Sequence, residues 1–410
     1  MKVKSNTRGA TSGLLFVLAV ASTTAWALPG EGIRLSQDTT LSPFAEVSGT
    51  YDSNVLLQQT DEQDDYFADL VAGLSLLKQS EYFMLNLRGW GKARRYLDYD
   101  EMDDETWQEN FDSTIGTREK LQLSLSQRYS DVSDYEFSQS DAGARNQEGQ
   151  AILRLIEGRT QRSGRKLQDY GASVGRDVGR FEVELGGSHA AVNFDNESLY
   201  DWDETQGELN LGYRVTDKTT LTGVGAYGMQ SSDNDMDDPE YYKARAGVRY
   251  KPTVKTSVNV GAGFEQYNTD TVGAGNTDLE ESAFNYDVAA TWAVTEKIDL
   301  QAFGRNELLP TTIYVNNTME VNQGSIGLVY DISPRFDTTL GASYRRDDFT
   351  APVNGVDGKE ELKGLQWRLV YTNTRKYLKI EGRVRYEEFE SNVMEDYDQL
   401  RATLALNLTY

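Results

Sequence analysis

Residue types that usually carry reaction chemistry are scarce in this chain: one imidazole, His189, and no cysteine among 410 residues. Every Ser-His or Asp-His hydrolytic arrangement would have to run through that single ring. His189 lies late in an alternating segment (Phe181, Val183, Leu185, Gly187, His189), and Ser188 beside it falls on the opposite face, because adjacent strand residues point apart. That pair cannot form a dyad. Asp195 and Asp203 are the acids that could approach the ring at a rim, so a rim-sited hydrolase stands as a remote alternative and no residue is given a catalytic role. One His and no Cys also leave the usual zinc and redox-metal ligand sets incomplete, and no cofactor is expected.

The acidic stretch Ser231 to Glu240 places Asp233, Asp235 and Asp237 at alternate positions, like the first half of a calcium loop. Asp238 then stands where the turn needs Gly, and Ala244 where a bidentate Glu belongs. It reads as a solvated loop, with loose divalent bridging to lipopolysaccharide as its use, and not as a metal site. A second group of charges is ordered differently. Lys243, Arg245, Arg249, Arg368, Lys379, Glu381, Arg383 and Arg385 alternate with apolar residues in segments such as "YKARAGVRY" and "YLKIEGRVRY". If the apolar face meets lipid these side chains point inward, since Lys or Arg facing lipid at mid-depth costs roughly 2–4 kcal/mol. Two readings then stand. One is a basic wall that concentrates anionic solutes or sugar-acid polymers in a water-filled pore. The other is a set of charge ladders satisfied by interior Asp and Glu.

Both readings need elements that hold one wet and one oily face over the whole chain, and the chain supplies them. "VKTSVNVGAGF" puts Val254, Thr256, Val258, Val260, Ala262 and Phe264 on one face, with Lys255, Ser257, Asn259, Gly261 and Gly263 on the other. Alternation alone also fits a soluble sandwich. The connections discriminate better: short turns such as "GTREK", "RDVGR", "VTDKT" and "NTRKY" alternate with long acidic pieces such as "DSNVLLQQTDEQDD" and "EEFESNVMEDYDQ". Short turns on one rim and long loops on the other are the asymmetry of an outer-membrane barrel. The expectation is an all-β, transmembrane antiparallel β-barrel of about 18 strands, range 16–20, with short periplasmic turns and long acidic extracellular loops. Residues from Asp131 to Gln168, including "AILRLIEGR", leave the count open: strand, infolded loop or short helix.

Composition agrees. Only 38% of residues are hydrophobic, yet 24 Tyr, 14 Phe and 6 Trp are too many aromatics for a chain that never packs. Aromatics near strand ends (among them Tyr51, Phe67, Trp90, Tyr267 and Trp292) fit interfacial girdles, some facing inward, while Trp107 and Trp202 edge the loops, where they could stack on sugar rings. The N-terminus has a basic start (Lys2, Lys4, Arg8), a short apolar core and a small-x-small pair, Ala25 and Ala27, which together read as a secretory signal peptide over residues 1–27. Its removal takes three positive charges from a net −24, leaving −27, which argues against a nucleic-acid partner. Residues 28–40 read as a periplasmic lead-in and 41–410 as the barrel.

The chain ends on "LRATLALNLTY", with Leu404, Leu406, Leu408 and Tyr410 on one face. In a closed barrel this strand must pair with the first. Its alternation and final aromatic resemble the C-terminal signal of bacterial outer-membrane barrels, which implies the barrel-assembly machinery as a partner beside outer-membrane lipid and lipopolysaccharide. After the first strand stands "GTYDSNVLL", Gly49 to Leu57, which resembles the Tyr-Asp-x-Asn-Val opening of the putative β-barrel porin 2 family. That resemblance spans roughly residues 41–410. It implies a porin-like channel for hydrophilic solutes in the bacterial outer membrane, and, through the export loci such proteins accompany, saccharide or exopolysaccharide export with polysaccharide export components as partners. A plugged structural or surface-interaction barrel is the alternative.

Overall fold

A computed structural model of the protein describes residues 32–132, 164–195, 201–232, 239–269, 279–310, 318–350 and 356–410. Ala25, Ala27, Asp233 to Asp238 and the stretch "AILRLIEGR" lie outside the described residues. A short strand, β1 (Ile33–Ser36), precedes a wall of eighteen longer ones. The first nine are β2 (Thr39–Asp52), β3 (Asp65–Gln79), β4 (Phe83–Tyr96), β5 (Asp104–Thr117), β6 (Leu121–Val132), β7 (Arg165–Val178), β8 (Phe181–Phe194), β9 (Trp202–Thr216) and β10 (Thr219–Ser232). The rest are β11 (Glu240–Thr253), β12 (Thr256–Thr269), β13 (Leu279–Ala293), β14 (Ile298–Pro310), β15 (Thr318–Ser333), β16 (Phe336–Phe349), β17 (Lys359–Thr372), β18 (Leu378–Ser391) and β19 (Tyr397–Thr409).

Each strand pairs antiparallel with the next, and β19 pairs with β2 from Arg401↔Asp52 to Thr409↔Phe44. The expected count of 18 and the closure by the terminal strand are both present. The lead-in does more than precede the wall, since β1 folds back on the start of β2 through Ile33↔Leu41 and Arg34↔Thr40. Connections sort by rim. Residues 179–180, 217–218, 254–255 and 334–335 are two-residue turns, whereas 53–64 and 97–103 join strands at the other end. Gly179 has φ +62°, a backbone conformation that favours glycine in a turn this tight.

Exposure fixes which face is which. On β12, Val260 and Phe264 are 43% and 70% exposed, while inward Glu265 is 1% exposed. Leu404, Leu406 and Leu408 are likewise exposed, and Ala405 between them is buried. Large apolar side chains on the outside of a closed sheet have no protein core to enter, so the surrounding solvent that suits them is hydrocarbon. Cross-strand aromatic pairs band this face toward both rims: Tyr51 with Tyr66, 5.1 Å between ring centroids, and Tyr227 with Tyr242, 5.0 Å, near the long loops; Phe181 with Tyr213 and Phe336 with Tyr371, both 5.0 Å, near the short turns.

This assignment of faces predicts that Val260→Arg lowers folding stability in lipid by about 2–4 kcal/mol, and that Asn259→Arg, one residue away on the inner face, costs less than about 1 kcal/mol. Denaturant titration of the protein refolded into phospholipid vesicles measures both.

Candidate functional site

The inner wall is the part of the fold able to meet a solute, and its alternate positions are predominantly polar. All eight charged residues singled out above point inward and have partners. Lys243 Nζ lies 2.9 Å from Glu265, Arg245 2.9 Å from Asp287, and Arg249 3.2 Å from Glu182. Glu381 holds three cations at once: Arg383 at 2.5 Å on Oε1, Arg368 at 2.9 Å and Lys379 at 3.0 Å on Oε2. Arg385 pairs with Glu387. Strand geometry explains the pattern, because inward residues of neighbouring strands stand opposite each other (Arg368↔Arg383, Val370↔Glu381) and a long cation reaches one step along or across to an acid. The wall is therefore a mutually compensated charge ladder. Asp337 on β16 also faces Arg368 and Lys379, so the cluster around Glu381 is compensated from two strands.

Toward the long-loop rim the inner face turns apolar. Phe67 and Tyr96 pack with Val55; Tyr241 and Tyr267 with Leu308; Met319 and Val321 with Phe349; Phe389 and Tyr397 with Leu57. Phe67 and Tyr267, expected at the girdle, thus face inward, and so does Trp90, whose ring lies 5.0 Å from the Arg88 guanidinium. Arg88 also stacks on Phe44 at 4.7 Å, over Gly73, where a Cβ would come within 2.5 Å of the Phe44 ring. Pairing between β13 and β14 stops at Tyr286↔Asn306, below the ends of both strands. Beyond it β14 leans inward: Leu308 packs on Tyr241 and Tyr267, and its N–H approaches Glu265 Oε2 at 3.5 Å.

His189 is on the outward face with Leu185 and Val183, and its Nδ1 lies 3.0 Å from Thr205 Oγ1 on β9. The described partner is a hydroxyl and not an acid, so the geometry offers no triad. Trp107 is outward and lies across Gly89 and Gly91, whose Cβ positions would be 3.4 and 3.5 Å from its ring; Trp202 begins β9. Sequence reasoning missed Arg94, which is fully buried in a two-pronged pair with Asp69 (2.7 and 2.8 Å) and stacks on Phe67 at 4.0 Å. It also missed Asp52 and Asn54, both fully buried. Parity was the available signal: these residues share the inward face with polar neighbours while Tyr51 and Tyr66 point out.

A closed eighteen-stranded meander, oily outside and charged within, with short turns at one rim and long loops at the other, defines an outer-membrane β-barrel of the porin type. The sequence profile of the family described as putative beta-barrel porin 2 matches residues 32–410, and the chain belongs to that family. Comparison with curated protein sequences finds no match. Among solved structures the chain is similar to the outer membrane protein OpdK of Pseudomonas aeruginosa, at 12% identity and TM-score 0.48, covering 90% of this chain and 99% of that one. OccAB4 of Acinetobacter baumannii (11% identity, TM-score 0.48, 92% and 100% covered) and OpdO of Pseudomonas aeruginosa (14%, 0.49, 92% and 98%) are similar to the same degree.

Replacing the shared carboxylate by Glu381→Gln removes the acid that bonds Arg368, Lys379 and Arg383 together. The variant should lose about 2 kcal/mol of stability in detergent, read by thermal or denaturant unfolding, because hydrogen bonds to a charged, buried group are removed together.

Proposed function

We propose that this protein is an outer-membrane channel for hydrophilic solutes. The observation that carries the reading is the wall itself: eighteen strands enclose a cross-section wide enough for an aqueous path, and their inward faces carry ion-paired charges that a dry interior would not favour. Paired charges keep the lumen wet without a strong field of one sign, so neutral polar solutes pass as readily as small ions. Saccharides are the narrower cargo in this reading, with export of a polysaccharide and its export components as the most specific version; the lumenal rings of Phe44 and Trp90 beside Arg88 support sugar contact. A second reading, a barrel closed at the outer mouth, is favoured by the inward packing of Val55 and Leu57.

Outward Leu404, Leu406 and Leu408, ending on Tyr410, support recognition of the last strand by the barrel-assembly machinery, and the apolar band with its aromatic rims supports contact with lipid and lipopolysaccharide. Export through the N-terminal signal should leave a mature protein beginning at Leu28, which intact-mass measurement of protein from outer membranes checks.

Purified protein added to a planar bilayer should give stepwise ionic currents, and proteoliposomes should swell in small saccharides. A protein that folds, inserts and stays silent in both would replace the channel by the closed barrel. With currents present, Glu381→Gln should move the reversal potential in a salt gradient toward anion preference, because one lumenal negative charge is removed from beside three cations.

A further inference from the structure

The stretch Tyr51-Asp52-Ser53-Asn54-Val55 takes no part in the mid-wall charge pairs, yet two of its side chains are among the most buried polar groups of the molecule. We propose that it is a two-way clasp: Asp52 fastens the seam where the barrel closes, and Asn54 turns the following loop back into the outer mouth, where that loop narrows the aperture. The aperture part rests on the channel reading; the clasp does not.

Strand parity places Asp52 on the inner face, with Tyr51 outward beside Tyr66. Its carboxylate accepts from Gln399 Nε2 at 2.8 and 3.0 Å and from Arg401 Nε at 2.9 Å, both on β19 and almost the whole chain away in sequence. It also accepts the Asn54 N–H at 3.1 Å. The first and last strands share fewer register pairs than most neighbours, from Phe44↔Thr409 to Asp52↔Arg401, and inward side chains supplement them: Asn407 donates to Glu46 at 3.0 Å and Thr50 meets Thr403 at 2.9 Å. Asp52 is the outermost tooth of that zipper and supplies its ion pair, with Arg401.

Asn54 then redirects the chain. Its Nδ2 donates to the Gln58 carbonyl at 2.8 Å and to the Asp398 carbonyl at 3.0 Å, and its Oδ1 accepts the Gln58 N–H at 3.0 Å. One amide thereby rings residues 54 to 58 and ties the ring to the last strand, with Leu57 at φ +55° to make the bend. The three apolar residues inside the ring part company, Val55 and Leu56 to one flank and Leu57 to the other. Val55 enters the cluster of Phe67, Tyr96, Tyr99 and Met102 on the β3 and β4 side; Leu57 enters that of Phe389, Tyr397, Leu362 and Met394 on the β17 to β19 side. The loop thus brackets the seam from within, one anchor on each flank, and every strand residue it grips is an inward one at the long-loop rim. A segment held there occupies the lumen side of the wall.

The absence of cysteine in the chain makes a single introduced thiol a clean probe. Leu57→Cys would be made alone and together with Asn54→Ala, each barrel refolded in detergent and verified by its heat-shifted mobility on gels. A membrane-impermeant maleimide should label the introduced thiol slowly in the first and about tenfold or more faster in the second, as expected when the three side-chain hydrogen bonds holding a local closure are lost. Asn54→Asp, which keeps the oxygen used by Gln58 and removes the donor to both carbonyls, serves if the alanine variant does not refold. Asp52→Ala should lower the temperature of the gel-mobility transition, and Asn54→Ala should raise single-channel current. Rapid labelling of the Leu57→Cys protein with Asn54 intact, or equal rates in both backgrounds, overturns the clasp. A labelling contrast in a protein that passes no current overturns the aperture and the channel reading together and leaves the clasp standing.

Discussion

A peptide group in hydrocarbon has no water to bond with, and each N–H or C=O left unpaired there costs several kcal/mol. An open sheet of any width exposes two such rows at its edges, so a membrane-embedded sheet of this kind is stable only if its last strand finds its first. Here that meeting is between β19 and β2, and the terminal residue itself takes part, Tyr410 N–H donating to the Pro43 carbonyl at 2.9 Å. The ring-like pairing order follows from this requirement, and strands of 13 to 16 residues, in the last and the longest, carry it across the membrane.

Closure also decides where charge goes. Once the outer face is committed to apolar side chains, every second residue is delivered to one enclosed volume, and the barrel gathers acids and bases that are far apart in sequence. Arg249 and Glu182, on strands separated by two others, become neighbours across the curvature of the wall. The outcome is not a basic surface but a compensated one, since a cation in a partly buried site is held far better by an adjacent carboxylate than by a thin layer of water. Glu381, which alone bonds three cations while Asp337 faces two of them, is the extreme case.

Alternation relaxes at the outer mouth. There inward positions carry Phe67, Tyr96, Tyr241, Tyr267, Phe389 and Tyr397, and they are covered rather than wet. Their partners come from connections and strand ends that fold into the barrel, including Val55, Leu57 and Leu308. A wide barrel has room at its end for such packing, and the clusters give the long-loop rim the nearest thing this protein has to a conventional core.

By itself the amino-acid sequence determined the strand pattern, a count of about 18 within 16–20, the rim of the connections and the alternation of faces, because a period of two and the contrast between "RDVGR" and "DSNVLLQQTDEQDD" are properties of adjacent residues. The inward direction of Lys243, Arg368 and Arg383 was legible for that reason. The pairs between strands were not, since Glu265 meets Lys243, and Glu381 meets Arg368, only through the register of neighbouring strands. Phe67, Trp90 and Tyr267 show the same limit from another side: an aromatic near a strand end suits a girdle or an inner cluster equally until parity is read against a known outer face. The paired burial of Asp52 with Arg401 and Gln399 was decided by tertiary structure alone, because it exists only where two ends of a long chain are brought together to close the wall.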